Sequence, residues 1–304
     1  MNYFLFPGQG SQVVGMGKAL CESFPAAMAR FDEACAILKV DLKKICFEGP
    51  EDVLKQTENT QPALFVAGYV VFEFFARAGK KAGLLAGHSL GEYTALAAAG
   101  AFNFATGVRL VRTRGELMSK AKKGTMAAVL GADKAKLEEI CKECSIGGEI
   151  VVPANYNAPD QTVISGSALG VEKAMAALKA AGAKRVIPLP VSGAFHSPLM
   201  KDAAEEMKKV LEGAAIRDAV LPVISNVTAN PVKAAAEIKS LLYQQLFSPV
   251  RWVDSFAGLE GGTGVEMGPG KVLCGLVKKI NPAINMLAAY TIEEIQAAVQ
   301  TIGA

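Results

Sequence analysis

The residue pattern predicts an α/β protein, a parallel sheet covered by helices and interrupted by a small inserted βαββαβ subdomain of ferredoxin-like order. Three observations carry this. At both ends of the chain short apolar runs alternate with long helical patterns, as crossover connections in a parallel sheet require. Over residues 124–190 the pattern changes to short strands with two helices. Near residue 89 a short apolar strand turns sharply into an alanine-rich helix. The expected units are a discontinuous core, 1–123 with 191–304, and an insertion, 124–190.

Taken in order, residues 3–6 read as a strand, and Pro7-Gly-Gln-Gly-Ser-Gln12 breaks it into a glycine-bounded loop before a helix expected near Val13. Apolar residues recur at helical spacing over 24–38, residues 45–50 close that segment, and a short helix is expected over 51–56. Asn59-Thr-Gln-Pro62 signals a helix start with Pro62 in the first turn, and Gly79 a stop. After the strand and turn at 81–91, residues 104–122 form a helix carrying Arg109, Arg112 and Arg114. The insertion then reads as strand 125–130, helix 133–144, strands 149–155 and 161–165 joined by a hairpin turn, helix 169–181 and strand 184–190. Beyond it come a loop over 191–200, a helix through Glu206 and Leu211, a strand over 221–227, a helix over 232–246 and a strand over 265–270 ending in a glycine-rich turn.

Composition narrows the function. The 304 residues are 51% hydrophobic, enough for a substantial core, and 32 basic against 29 acidic side chains argue against a nucleic-acid binder. The first residues lack a basic leader with a long apolar run, and the apolar stretch 62–75 is too short to span a bilayer and contains Glu73, so a cytoplasmic location is expected. Six scattered cysteines read as free thiols, and Cys141 and Cys144 lack the second pair or nearby histidine that a zinc site needs.

The chemistry centres on Gly87-His-Ser-Leu-Gly91. A G-x-S-x-G between strand and helix is a nucleophile elbow: glycines allow strand and helix to approach, and Ser89 is held in a strained turn with its hydroxyl outward. The N–H of Leu90 opens the helix beside it, and Gln9 N–H, on the loop after the first strand, is a candidate second donor to an oxyanion. A serine needs a base, and the chain has only two histidines, His88 and His196. His88 points away across the tight turn, which leaves His196. Gly8-Gln9-Gly10 begins a dinucleotide fingerprint, but the position for its third glycine holds Val13. A hydrolase and a nucleotide-binding module remain the rival readings.

Phe6-Pro-Gly-Gln-Gly-Ser-Gln12, Gly87-His-Ser-Leu-Gly-Glu92, Asn155-Tyr-Asn157, Gly193-Ala-Phe-His-Ser197 and Glu266-Met-Gly-Pro-Gly-Lys271 together resemble, in order and over nearly the full length, the malonyl-CoA:acyl carrier protein transacylases. The resemblance implies an α/β-hydrolase-like core with a ferredoxin-like insertion, Ser89 as nucleophile, His196 as base, and Gln9 and Leu90 as oxyanion donors. It implies that the main-chain carbonyl of Gln245 orients His196, that Arg114 receives the malonyl carboxylate, and that His88, Phe195 and Met118 belong to the substrate pocket. A planar guanidinium suits a carboxylate, which it grips with two parallel bonds. Arg109 and Arg112 are rival positions, although about 200° of helical rotation separates Arg112 from Arg114. The substrates implied are malonyl-CoA and the phosphopantetheine thiol of acyl carrier protein, with no metal or cofactor, no membrane and no nucleic acid, in a monomer. Lys120, Lys122, Lys123, Lys184 and Arg185 are candidates to meet an acidic carrier protein.

Overall fold

The computed structural model describes residues 1–121, 124–191 and 193–303, so Lys122 and Lys123 lie outside the described residues. Strand β1 (Asn2–Phe6) opens the chain. The helix expected near Val13 begins later, as α1 (Lys18–Ser23), because Gly15 and Gly17 hold φ of 94° and 81°, which an α-helix does not accommodate. Helices α2 (Pro25–Leu38), α3 (Leu42–Phe47) and α4 (Glu51–Leu54) follow. Helix α5 (Thr57–Arg77) starts before the expected point, so Pro62 lies inside it. Proline has no N–H for the carbonyl four residues back, and that carbonyl, on Glu58, instead accepts from Arg112 Nη1 at 3.1 Å.

Strand β2 (Leu84–Gly87) enters the elbow and α6 (Gly91–Ala98) leaves it. Helix α7 (Phe104–Lys120) packs on α5 at Gly107, where a Cβ would come within 2.2 Å of the Phe65 ring. Next come β3 (Thr125–Leu130), α8 (Lys134–Cys144), β4 (Val151–Ala158), β5 (Gln161–Gly166), α9 (Ala168–Ala180) and β6 (Arg185–Pro188). These four strands form one antiparallel sheet of order β4-β5-β3-β6, with a core of its own around Val129, Leu137, Ile140, Ile164 and Val171. Strand β4 runs further than expected, to Ala158, which shortens the hairpin turn to Pro159–Asp160. It also bonds to the main body, Tyr156 N–H to Val250 O at 2.9 Å and Val250 N–H to Ala154 O at 2.8 Å.

A 3₁₀ turn (Pro198–Met200) leads into α10 (Lys201–Gly213), β7 (Val223–Ile224), β8 (Pro231–Val232), α11 (Ala235–Gln245) and α12 (Trp252–Ala257). The chain then closes with β9 (Gly262–Met267), α13 (Val272–Ile280), β10 (Ile284–Ala289) and α14 (Ile292–Thr301). The main sheet has the order β10-β9-β1-β2-β7-β8. Its pairs are parallel except β7–β8, so the sheet expected to be parallel is mixed at one edge. Alternation along β1 sends Phe4 and Phe6 into the core on one face and Tyr3 and Leu5 into that on the other. With both faces covered, ligands have the crevice beyond the carboxyl ends of the strands, where β1 and β2 deliver the Pro7–Gly8 loop and the elbow.

Candidate active site

The elbow forms because two positions tolerate nothing larger than hydrogen. A Cβ on Gly87 would fall 1.9 Å from the carbonyl carbon of Gly91, and one on Gly91 would fall 2.1 Å from Phe6 O. Ser89 sits between them at φ 51°, left-handed and costly for a side chain, so the surroundings must hold it there. Both of its peptide groups are gripped: its N–H donates to Asn226 Oδ1 at 2.7 Å, and its C=O accepts from Gln245 Nε2 at 2.9 Å. Gly8 belongs to the same close packing, since a Cβ there would lie 2.5 Å from His88 O. That contact accounts for the glycine without any bound nucleotide. Among the described residues neither Gln9 N–H nor Leu90 N–H has an acceptor, as expected of groups at a loop and at the first turn of a helix.

His196 Nε2 is 2.8 Å from Ser89 Oγ, and its Nδ1 is 2.8 Å from Gln245 O. A carbonyl only accepts, so Nδ1 carries the proton and Nε2 faces the hydroxyl as a free lone pair. The last carbonyls of α11 have no partner within the helix, and two of them position His196: Gln245 O takes the ring and Leu246 O the backbone N–H, at 3.1 Å. The helix C-terminus also favours the positive charge that would form on the ring. At rest, burial and then the nearby Arg114 charge pull the imidazole down to about 3, so it stays neutral. His88 faces elsewhere, with Nε2 2.8 Å from Asn157 Oδ1 on β4 and its ring against Trp252.

Arg114 is 1% exposed and reaches the serine: Nη2 donates to Ser89 Oγ at 3.1 Å and to Gln245 Oε1 at 3.0 Å, while Nη1 donates to Gln61 Oε1 at 2.9 Å. Its guanidinium also lies over the Tyr93 ring at 5.5 Å. All its hydrogen-bond partners are neutral acceptors, which fix the fork without cancelling its charge. The nearest anion is Glu92, buried and pushed up to about 7 by burial, against hydrogen bonds from Gln245 and Asn226 and the Arg114 charge, which pull it down. The rival arginines are elsewhere. Arg112 pairs with Glu116 and bonds Glu58 O, and Arg109 is exposed.

The chain is similar to known proteins over nearly its whole length. An acyl transferase domain model matches residues 3–281. The malonyl CoA-acyl carrier protein transacylase of Bacillus subtilis is 50% identical to this chain, over 98% of it and 96% of the relative. The chain belongs to this transacylase family. The crystal structure of the acyl-carrier-protein S-malonyltransferase of Bartonella henselae superposes with a TM-score of 0.95 at 43% identity, covering 100% of this chain and 99% of that one. A malonyl-transacylase in complex with a type II PKS acyl-carrier protein also gives 0.95, at 40% identity and 99% coverage of both chains.

The remaining residues expected of a transacylase are distributed as follows. Met118 is buried, and its Sδ accepts from Gln61 Nε2, so it touches the residue that holds Arg114. Phe195 is buried against the main core, its ring 2.5 Å from where a Gly193 Cβ would stand. A groove of about 540 Å³ runs past Gln9 between Thr57, Ser119, Lys120 and the end of the insertion at Pro190 and Val191. Lys120 lines it together with Lys55, which the sequence did not single out, whereas Lys184 and Arg185 are exposed at the other end of β6. Sequence reasoning also missed Asn226, Gln61, Glu92, Asn157 and the side chain of Gln245. Glu92 and Asn157 carried a signal, as members of two of the motifs without an assigned role, and Glu92 in the first turn of the elbow helix cannot be distinguished there from an ordinary favourable charge.

Proposed function

We propose that this chain transfers a malonyl group from malonyl-CoA to the phosphopantetheine thiol of acyl carrier protein, supplying extender units for fatty acid synthesis, through an ester on Ser89. The observation that carries the reading is Arg114, a buried guanidinium held only by neutral oxygens and within 3.1 Å of the serine Oγ. Such a cation leaves its charge for a substrate carboxylate, and a hydrolase for uncharged esters gains nothing from it.

In the first half-reaction His196 Nε2 takes the Ser89 proton as Oγ attacks the thioester carbonyl, and the oxyanion is met by the Gln9 and Leu90 N–H groups. Collapse expels the coenzyme A thiolate, which takes the proton back from His196. The second thiol then gives its proton to His196 and attacks the ester, and His196 passes that proton to Ser89 Oγ as the carbonyl reforms. The serine's proton leaves on coenzyme A and the second thiol's proton replaces it, so His196 and Ser89 end as they began and the exchange balances with no metal or cofactor. Among the described residues no helix is long and apolar enough to cross a membrane, and a cytoplasmic location fits the substrates. The groove past Gln9 carries Lys55 and Lys120 but also Asp52 and Glu58, with Lys55 paired to Glu51, so its lining is of mixed charge and Lys120 is its candidate contact to an acidic carrier protein. We further read residues 1–123 and 191–304 as an α/β-hydrolase-like core and 124–190 as a ferredoxin-like insertion, supported by the separate sheet and core of the latter.

The test is intact mass after incubation with malonyl-CoA. Wild type is expected to gain one malonyl group, mapped to Ser89, and Ser89→Ala none. A malonylated Ser89→Ala protein would refute the assignment. Initial rates against both substrates should give parallel double-reciprocal lines, and intersecting lines would point to direct transfer.

A further inference from the structure

We infer that Glu92 is a positioning residue that holds the reactive serine by bonding the Gln245 side-chain amide and the Asn226 backbone N–H, the two residues whose side chains grip the serine's peptide groups, an assignment that rests on reading Ser89 as the nucleophile. Glu92 is fully buried, and its Oε2 accepts from Gln245 Nε2 at 2.6 Å and from Asn226 N–H at 3.1 Å. Those two residues are the ones that bond the Ser89 C=O and N–H, and Asn226 Nδ2 also donates to Gly87 O at 2.8 Å. One carboxylate therefore anchors both sides of a residue that sits at φ 51°.

Acceptor chemistry makes the arrangement directional. The Gln245 amide has Ser89 O and Glu92 Oε2 on one side, both acceptors, and Arg114 Nη2, a donor, on the other. Only one orientation satisfies all three, with NH₂ toward the two oxygens and Oε1 toward the guanidinium. The flipped amide would set oxygen against oxygen and NH₂ against Arg114. Glu92, with Ser89 O and Arg114, thus keeps Gln245 facing the right way, through the shortest of the three bonds at 2.6 Å, and Gln245 in turn carries the carbonyl that orients His196. Arg114 is less dependent, because Gln61 also holds it at 2.9 Å.

Length and charge can be separated. Glu92→Asp keeps the charge but retracts it by one methylene, out of reach of both donors, whereas Glu92→Gln keeps the reach and one carbonyl acceptor. Glu92→Asp is expected to lose about 10- to 100-fold in kcat, the scale of a sub-ångström to ångström misplacement of reacting groups. Its malonyl-to-acetyl ratio in kcat/KM should stay within about threefold, since Arg114 keeps Gln61. Glu92→Gln should lose markedly less. The rate at which a fluorophosphonate labels the serine should fall in parallel with kcat, reporting on the nucleophile without the malonyl group. Full kcat and labelling in Glu92→Asp would overturn the proposal, as would a loss in Glu92→Gln equal to or larger than that in Glu92→Asp, which would mean that reach with one carbonyl acceptor does not hold the serine. Absence of labelling at Ser89 in wild type would instead sink the nucleophile assignment itself.

Discussion

Replacing Arg114 with alanine should change which acyl group the enzyme prefers, and the structure sets the size of the effect. The guanidinium is fixed by Gln61 and Gln245 before any substrate arrives, so a malonyl carboxylate meets a preformed fork, while an acetyl group leaves it facing a methyl. Removing one partner of a buried, hydrogen-bonded charge pair costs about 2–5 kcal/mol, or roughly 30- to several-thousand-fold. Acetyl transfer should change little. It loses the 3.1 Å bond from Arg114 to Ser89 Oγ, but the charge that helps hold His196 down to about 3 goes with it. The mutation also strands the Gln61 and Gln245 carbonyl oxygens, at about 1–3 kcal/mol each if water does not reach them, so some loss of thermal stability is expected. Arg114→Lys is the control, since an ammonium keeps the charge without bridging two amides by a planar fork, and should fall between. The assay is kcat/KM for malonyl-CoA and acetyl-CoA in the three proteins. A malonyl-to-acetyl ratio unchanged in Arg114→Ala would refute the reasoning outright, because Arg112 is committed to Glu116 and Glu58.

Three further outcomes are expected. His196→Ala should lose at least about 10²-fold in rate with the fold intact, and near-normal activity would mean that another group is the base. The chain has two histidines, both with pKa values lowered chiefly by burial, so neither ring should titrate near pH 6.5 in an NMR titration of the folded protein; a ring that does so, and vanishes in His196→Ala, would contradict the buried, neutral base. The sign for stability follows: unfolded His196 takes a proton near pH 6.5 but the folded ring only near about 3, so its contribution is complete above about 6.5 and is lost as pH falls between the two, with Glu92 opposing it above the ordinary carboxylate range. Gly91→Ala puts a Cβ 2.1 Å from Phe6 O, where backbone rather than a flexible side chain must yield, and should lower stability by more than about 1–3 kcal/mol; an unchanged melting temperature would mean the elbow can relax.

The sequence by itself determined whatever depends on neighbours along the chain. The elbow was legible because its demands are local: two positions without a Cβ, a strand before and a helix after. The strand and helix order of residues 124–190 was legible for the same reason, as periodicity changes within a few residues. Scarcity did the rest for His196, one of only two histidines. Local signals also misled where a distant group decided. Pro62 marked a helix start by every nearby cue, yet it is carried inside α5 because Arg112, from another helix, takes the carbonyl the proline cannot serve. The choice among Arg109, Arg112 and Arg114 could not be made from spacing alone, since it depends on which face of α7 meets the elbow. Asn226 follows a two-residue strand far along the chain, and nothing near it hints at the serine it holds at 2.7 Å. Side chains that work by bonding a backbone group leave no pattern of their own, because their partners are chosen by the sheet order that sets β7 beside β2 and brings the end of α11 to the elbow.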